Sequence, residues 1–174
     1  IMGTLPPMNQ DDWNIAFDKY KQSPQFAKVN FTMNVEEFKS IFWWEYIHRL
    51  VGRTIGVVFL IPFLWFLLKR KLDVPLIKKL LVLFALGGLQ GFLGWFMVAS
   101  GLVDNPYVSH YRLAIHLITA FFTFAATFWV ALDLQYQSTP RTQTSRALQT
   151  TTMWLFAVAV LQIIYGAFVA GLHA

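Results

Sequence analysis

The stretch LLVLFALGGLQGFLGWFMVASGL, residues 80–102, decides the fold class. It carries no charged residue. At 1.5 Å per residue, a helix of this length crosses a hydrocarbon core about 30 Å thick. Backbone groups in lipid must be satisfied within the segment, so a helix is the element that fits. Working outward, three further runs of this kind appear: Phe42 to Leu68, Tyr111 to Leu132 and Leu148 to Leu172. The reading is an all-α, polytopic membrane bundle with four transmembrane helices. A soluble bundle of buried helices is the competing reading, but the runs are too long for it and lack a charged face.

Composition agrees. Of 174 residues, 56% are hydrophobic and 13% charged. Soluble proteins average about 25% charged. So apolar a chain is not disordered, and so few charges do not cover a soluble surface. The absence of cysteine excludes a disulfide framework, a zinc ribbon, a thiolate nucleophile and a cysteine-held iron–sulfur cluster. Residues 1–41 stand apart as a polar segment holding Asp11, Asp12, Asp18, Glu36 and Glu37, offset by Lys19, Lys21, Lys28 and Lys39. Pro6, Pro7 and Pro24 interrupt it, which predicts a loop with short helical turns. Residues 42–174 form the transmembrane region.

The net charge of +5 is a matter of topology. Lys69, Arg70, Lys71, Lys78 and Lys79 surround Asp73 between the first two spans, and Arg141 and Arg146 lie between the last two. The loop between the second and third spans contains Asp104 and no Lys or Arg. The positive-inside rule puts the basic loops in the cytoplasm or matrix, and the polar segment and the Asp104 loop on the outer side. Trp43, Trp44 and Tyr111 then mark the outer interface. The basic residues anchor the protein in a lipid bilayer, and nucleic acid is not a partner.

Ionisable residues inside a span are expensive, so their default reading is functional. They are Glu45, His48, Arg49 and Arg53 in the first span, and Arg112 and His116 in the third. His48 and His116 each follow the interfacial aromatics by four to five residues on parallel spans. The two imidazoles are therefore expected at one depth, where they suit a shared iron. Gly52 and Gly56 lie below His48 on its helix face, and Thr119, Ala120 and Thr123 lie below His116. These small residues leave slots for a haem ring. Arg49, Arg53 and Arg112 are placed to pair with its propionates. Bis-histidine haem accounts for the set.

Each element also has a plainer reading. A histidine in a membrane helix can simply hydrogen-bond a neighbouring helix. Gly52 and Gly56 form a GxxxG, which commonly packs helices, and Gly87 with Gly91 and Gly166 with Ala170 read that way. Arg49 and Arg53 can reach headgroups. Glu45 sits three residues before His48 and four before Arg49, so it serves either as a carboxylate beside the haem or as a structural ion-pair partner.

Three stretches resemble the haem A synthase family. One runs from Glu37-Phe38-Lys39 to Trp44-Glu45-Tyr46-Ile47-His48-Arg49-Leu50-Val51-Gly52-Arg53. The second is Gly88-Leu89-Gln90-Gly91-Phe92-Leu93-Gly94-Trp95-Phe96-Met97-Val98 with Gly101-Leu102. The third is Val108-Ser109-His110-Tyr111-Arg112-Leu113-Ala114-Ile115-His116-Leu117. Gly3-Thr4-Leu5-Pro6-Pro7-Met8-Asn9 is also similar to the family. The absence of cysteine resembles its proteobacterial and mitochondrial branch.

The resemblance implies oxidation of the C8 methyl of haem O to a formyl group, giving haem A for cytochrome oxidases. His48 and His116 are then axial ligands of the substrate haem, and Glu45 the catalytic carboxylate, assisting a cationic intermediate. It also implies eight helices in two pseudo-symmetric halves, with a second histidine pair and a haem B cofactor. This chain then corresponds to the second to fifth helices, with one helix before Ile1 and three after Ala174. Haem O synthase and oxidase-assembly factors are the implied partners, together with a homo-oligomer. The implied setting is the bacterial inner membrane, ahead of the mitochondrial one. The alternatives are a b-type cytochrome subunit for quinol-linked electron transfer and a non-catalytic haem-handling protein. The roles of His110 and His173 stay open.

Overall fold

A computed structural model describes residues 5–99, 108–136 and 143–172. Every regular element among them is helical: α1 (Gln10–Lys21), α2 (Pro24–Lys28), α3 (Val35–Leu68), α4 (Val74–Ala99), α5 (His110–Gln135) and α6 (Arg146–Leu172). The chain divides into two compact units, 1–71 with 98–108, and 72–97 with 109–174. Helices α3 to α6 are each long and apolar enough to cross a membrane, and each contains one of the four apolar runs. Residues 100–102 of the second run lie outside the described residues, as do the Asp104 loop, Arg141 and His173.

Only 6% of the most apolar window of each long helix is buried. Trp65, Phe124, Trp129, Trp154 and Phe156 all stand exposed. Apolar surface on this scale is tolerable only against lipid or another apolar partner. The protein is a membrane protein.

In the first unit, the polar segment is more helical than its prolines suggest. Asn9 caps α1 by accepting the Asp12 amide at 2.8 Å, and Asp11 and Asp12 in the first turn and Lys19 and Lys21 in the last complement the helix dipole. Ser23 and Pro24 begin α2, with Ser23 Oγ accepting the Phe26 amide. The reason α1 persists is tertiary. Trp13 and Phe17, one turn apart, are buried with Phe38 and Phe42 of α3. Trp13 meets Phe42 edge-on at 5.0 Å, and Tyr20 stacks on Phe38 at 5.0 Å.

Helix α3 begins at Val35, seven residues before its apolar run. The start is set by a capping box: Asn34 accepts the Glu37 amide at 3.0 Å while Glu37 accepts the Asn34 amide at 2.9 Å. Its 34 residues make a rod about 51 Å long. That exceeds the hydrocarbon thickness, so the extra turns are free to carry the aromatic core. The helix ends with Arg70 in the left-handed region, φ 52°, with Lys71 N–H bonded to the Phe66 carbonyl and Arg70 N–H to that of Leu67. This is a Schellman ending with arginine where glycine is usual.

In the second unit, Asp73 Oδ1 accepts the Leu76 amide at the start of α4, and Ser145 Oγ accepts that of Leu148 at the start of α6. An ion pair from Lys79 to Asp133 ties the beginning of α4 to the end of α5. At the other end of α5, His110 and Tyr111 pack against Phe168 of α6. A Cβ on Gly171 would lie 2.7 Å from His110 Cα, so the close approach of α5 and α6 requires glycine there. Among the described residues, an added Cβ at Gly87, Gly91 or Gly166, expected as packing faces, meets no atom of another element within 4 Å. Of the described glycines in this unit, Gly94 and Gly171 are the ones that face another helix closely, which glycine spacing alone does not single out.

Candidate functional site

The candidate residues lie on α3 in the first unit and on α5 in the second, and each set is built by its own helix. At 100° per residue, Glu45, His48, Arg49, Gly52 and Gly56 fall within roughly 100° of one another on α3. Glu45 sits between His48 and Arg49 on that face and forms an ion pair with Arg49. Glutamate N-terminal to its cation at i,i+4 is the favourable orientation. Both partners are half-buried, and His48 and Arg53 are exposed. Among the described residues, an added Cβ at Gly52 or Gly56, below His48, meets nothing within 4 Å. The core before this face, Trp13–Phe38–Phe42, extends along α3 to Tyr46, the residue after Glu45, which stacks on Phe42 at 6.1 Å.

On α5, Arg112, His116, Thr119, Ala120 and Thr123 share a face of about the same width. The guanidinium of Arg112 lies 5.3 Å from the Phe96 ring centroid, a cation–π contact with α4. The Thr119 and Thr123 hydroxyls donate to the carbonyls of Ile115 and Thr119, at 2.8 and 2.7 Å. This engages both hydroxyls within α5 and leaves their methyl groups on the face below His116. His110 is engaged in the α5–α6 contact.

His116 is held by two residues of α4 that a search for ionisable groups passes over. Gln90 Nε2 donates to the His116 carbonyl at 3.2 Å and lies 3.2 Å from each ring nitrogen. One turn on, a Cβ at Gly94 would stand 3.1 Å from His116 Cε1. The available signal was Gln90 itself, a polar residue within an uncharged span. Among the described residues, no three His, Cys, Asp or Glu side chains cluster as ligands for a bare metal ion.

Comparison with known proteins bears on the whole chain. Residues 1–174 match the family described as cytochrome oxidase assembly protein, COX15-CtaA. The chain belongs to this family. It is 53% identical over 176 residues to a protein of Nitrosospira multiformis named heme A synthase, covering all of this chain and 49% of that protein. A protein of the same name from Flavobacterium johnsoniae is 51% identical over 178 residues, again across all of this chain and 51% of its own length. A third, from Paramagnetospirillum magneticum, is 47% identical with 50% of its length covered. The chain thus spans about half the length of these family members. No solved structure matches it.

Proposed function

We propose that the protein containing this chain is a haem A synthase, oxidising the C8 methyl of haem O to a formyl group, and that these residues form its substrate-haem site. The observation that carries the reading is Glu45, a carboxylate one turn before His48 and on its face of α3. An electron carrier has no use for such a group beside its ligand. Family membership supports the same reading.

The donor set suits a haem. A haem carries its own iron, and His48 and His116 are the residues that would hold it. The small-residue face at Gly52 and Gly56 and the methyl-lined face below His116 suit a flat apolar ring. Bound haem O supplies both the iron and the methyl group to be oxidised. His48 and His116 hold and orient it. Glu45, held in its ion pair with Arg49 on the face that also carries His48, would place a negative charge where it can stabilise positive charge developing in the substrate. Arg53 and Arg112 are the propionate partners, and Arg49 is shared between that role and Glu45. A haem B cofactor would be held by residues outside this chain. Haem O synthase and oxidase-assembly factors would supply and receive the haem, a homo-oligomer is the proposed assembly, and the bacterial inner membrane is the proposed location.

The full-length protein purified from membranes should carry haem O or haem A together with haem B. Pigment extraction yielding only haem B would mean a b-type cytochrome instead. Glu45→Gln should retain haem and lose conversion by about 10²-fold or more, the scale of a positioned carboxylate. Undiminished haem A formation by that variant would remove Glu45 from the mechanism.

A further inference from the structure

Helix α3 ends in a group of cations that the proposed haem site does not use. Its aromatic contacts with α1 occupy the first turns, as far as Tyr46. The stretch 47–68 then matches the roughly 20 residues that a hydrocarbon core takes. Lys69, Arg70 and Lys71 therefore fall in the headgroup layer at the far end of the span. Trp65, one turn earlier, is 59% exposed, and Lys69 Nζ lies 5.1 Å from its ring centroid.

The ordinary duties of basic residues at a helix end do not account for these side chains. Such residues often bond the last carbonyls. Here backbone amides already do so: the N–H groups of Lys69, Arg70 and Lys71 donate to the carbonyls of Trp65, Leu67 and Phe66. All three side chains are exposed. Among the described residues, none of the three is hydrogen-bonded or ion-paired. Their ammonium and guanidinium donors are therefore unused. Arg70 also stands at φ 52°, where glycine usually closes a helix and an L side chain is disfavoured. Orientation in the membrane needs the charges, but it does not ask that one of them occupy the strained position.

We infer that Trp65, Lys69, Arg70 and Lys71 form a binding site for an anionic phospholipid. The Arg70 fork and the Lys69 and Lys71 ammonium groups hold its phosphate. The Trp65 ring meets the glycerol region, the level that interfacial aromatics occupy. Ile61, Leu64 and Leu68, exposed at i, i+3 and i+7, lie on the same helix face as Trp65 and receive an acyl chain. Basic clusters beside a span select anionic headgroups, and the apolar face commits this one to a lipid over a soluble phosphate.

The test titrates the full-length protein, purified in detergent, with dioleoylphosphatidylglycerol or dioleoylphosphatidylcholine and counts bound lipid by native mass spectrometry. The wild type should prefer phosphatidylglycerol. Arg70→Gly relaxes the backbone while removing the guanidinium. It should fold at least as well and bind phosphatidylglycerol about 5-fold more weakly, the effect of one basic residue at an anionic surface. Arg146→Gln removes the same charge at the start of α6 and should leave binding nearly unchanged. Equal binding by wild type and Arg70→Gly, equal weakening in the two variants, or no preference between the lipids would overturn the site. Displacement of the lipid by an equal concentration of glycerol 3-phosphate would overturn its assignment to a lipid. Neither variant touches the proposed haem residues, so these outcomes leave that reading as it stands.

Discussion

Two glycines three residues apart on α4 illustrate how differently one residue type can be used. Among the described residues, an added Cβ at Gly91 meets nothing within 4 Å, whereas at Gly94 it would lie 3.1 Å from His116 Cε1. That separation is tighter than ordinary van der Waals contact at about 3.5–4.0 Å between carbons. The imidazole must give way by a few tenths of an ångström, a shift that His116 in its proposed role as a haem ligand would tolerate poorly. Gly94→Ala should therefore perturb the His116-dependent haem spectrum and lower haem occupancy, while Gly91→Ala leaves both unchanged. Absorption spectra of the two purified variants check this. Equal spectra would mean that His116 has room to move. The sequence made His116 legible because an ionisable group in lipid is costly. Gln90 and Gly94 were not legible in the same way. One carries no charge, and the other differs from its neighbouring glycines only in what stands opposite it.

At the scale of the element, the apolar runs were readable because length without charge has few meanings in a chain of this composition. The polar segment was harder. Its prolines suggested a loop, but Pro7 and Pro24 leave room between them for the 12 residues of α1. Asn34 and Glu37 encode the start of α3 in a capping box that hydropathy does not register. The aromatic core then holds α1 against α3 just before Glu45 and His48. Phe38 is its most buried member, 1% exposed. Phe38→Ala should destabilise the protein by about 3–5 kcal/mol, the usual cost of emptying a buried phenylalanine site. Asn34→Ala should cost about 0.5–2 kcal/mol through the lost cap. Thermal unfolding in detergent, followed by tryptophan fluorescence, should rank the two in that order. Because Tyr46 stacks on Phe42, the larger loss should also loosen the α3 face that carries Glu45. A Phe38→Ala protein as stable as wild type would mean that the polar segment is not fastened through this core.

At the scale of the molecule, the open question is which way the chain crosses the membrane, and charge rather than packing answers it. Lys69, Arg70, Lys71, Lys78 and Lys79 lie at the junction of α3 and α4, against Asp73 alone. A loop this short is the kind whose Lys and Arg count sets orientation. One of the five, Lys79, is engaged with Asp133, which leaves the other four to set the bias without neutralising the junction. The expected orientation keeps this junction inside and residues 1–41 outside, with Glu45, His48, Arg112 and His116 toward the outer face. Alkaline phosphatase, active only after export, should be active when fused after Asn30 and inactive when fused after Leu72. Replacing Lys69, Arg70, Lys71 and Lys78 with glutamine should weaken that contrast. Activity at Leu72 with none at Asn30 would reverse the protein. The candidate site would then open toward the inner side, and its haem would have to arrive from the cytoplasmic leaflet.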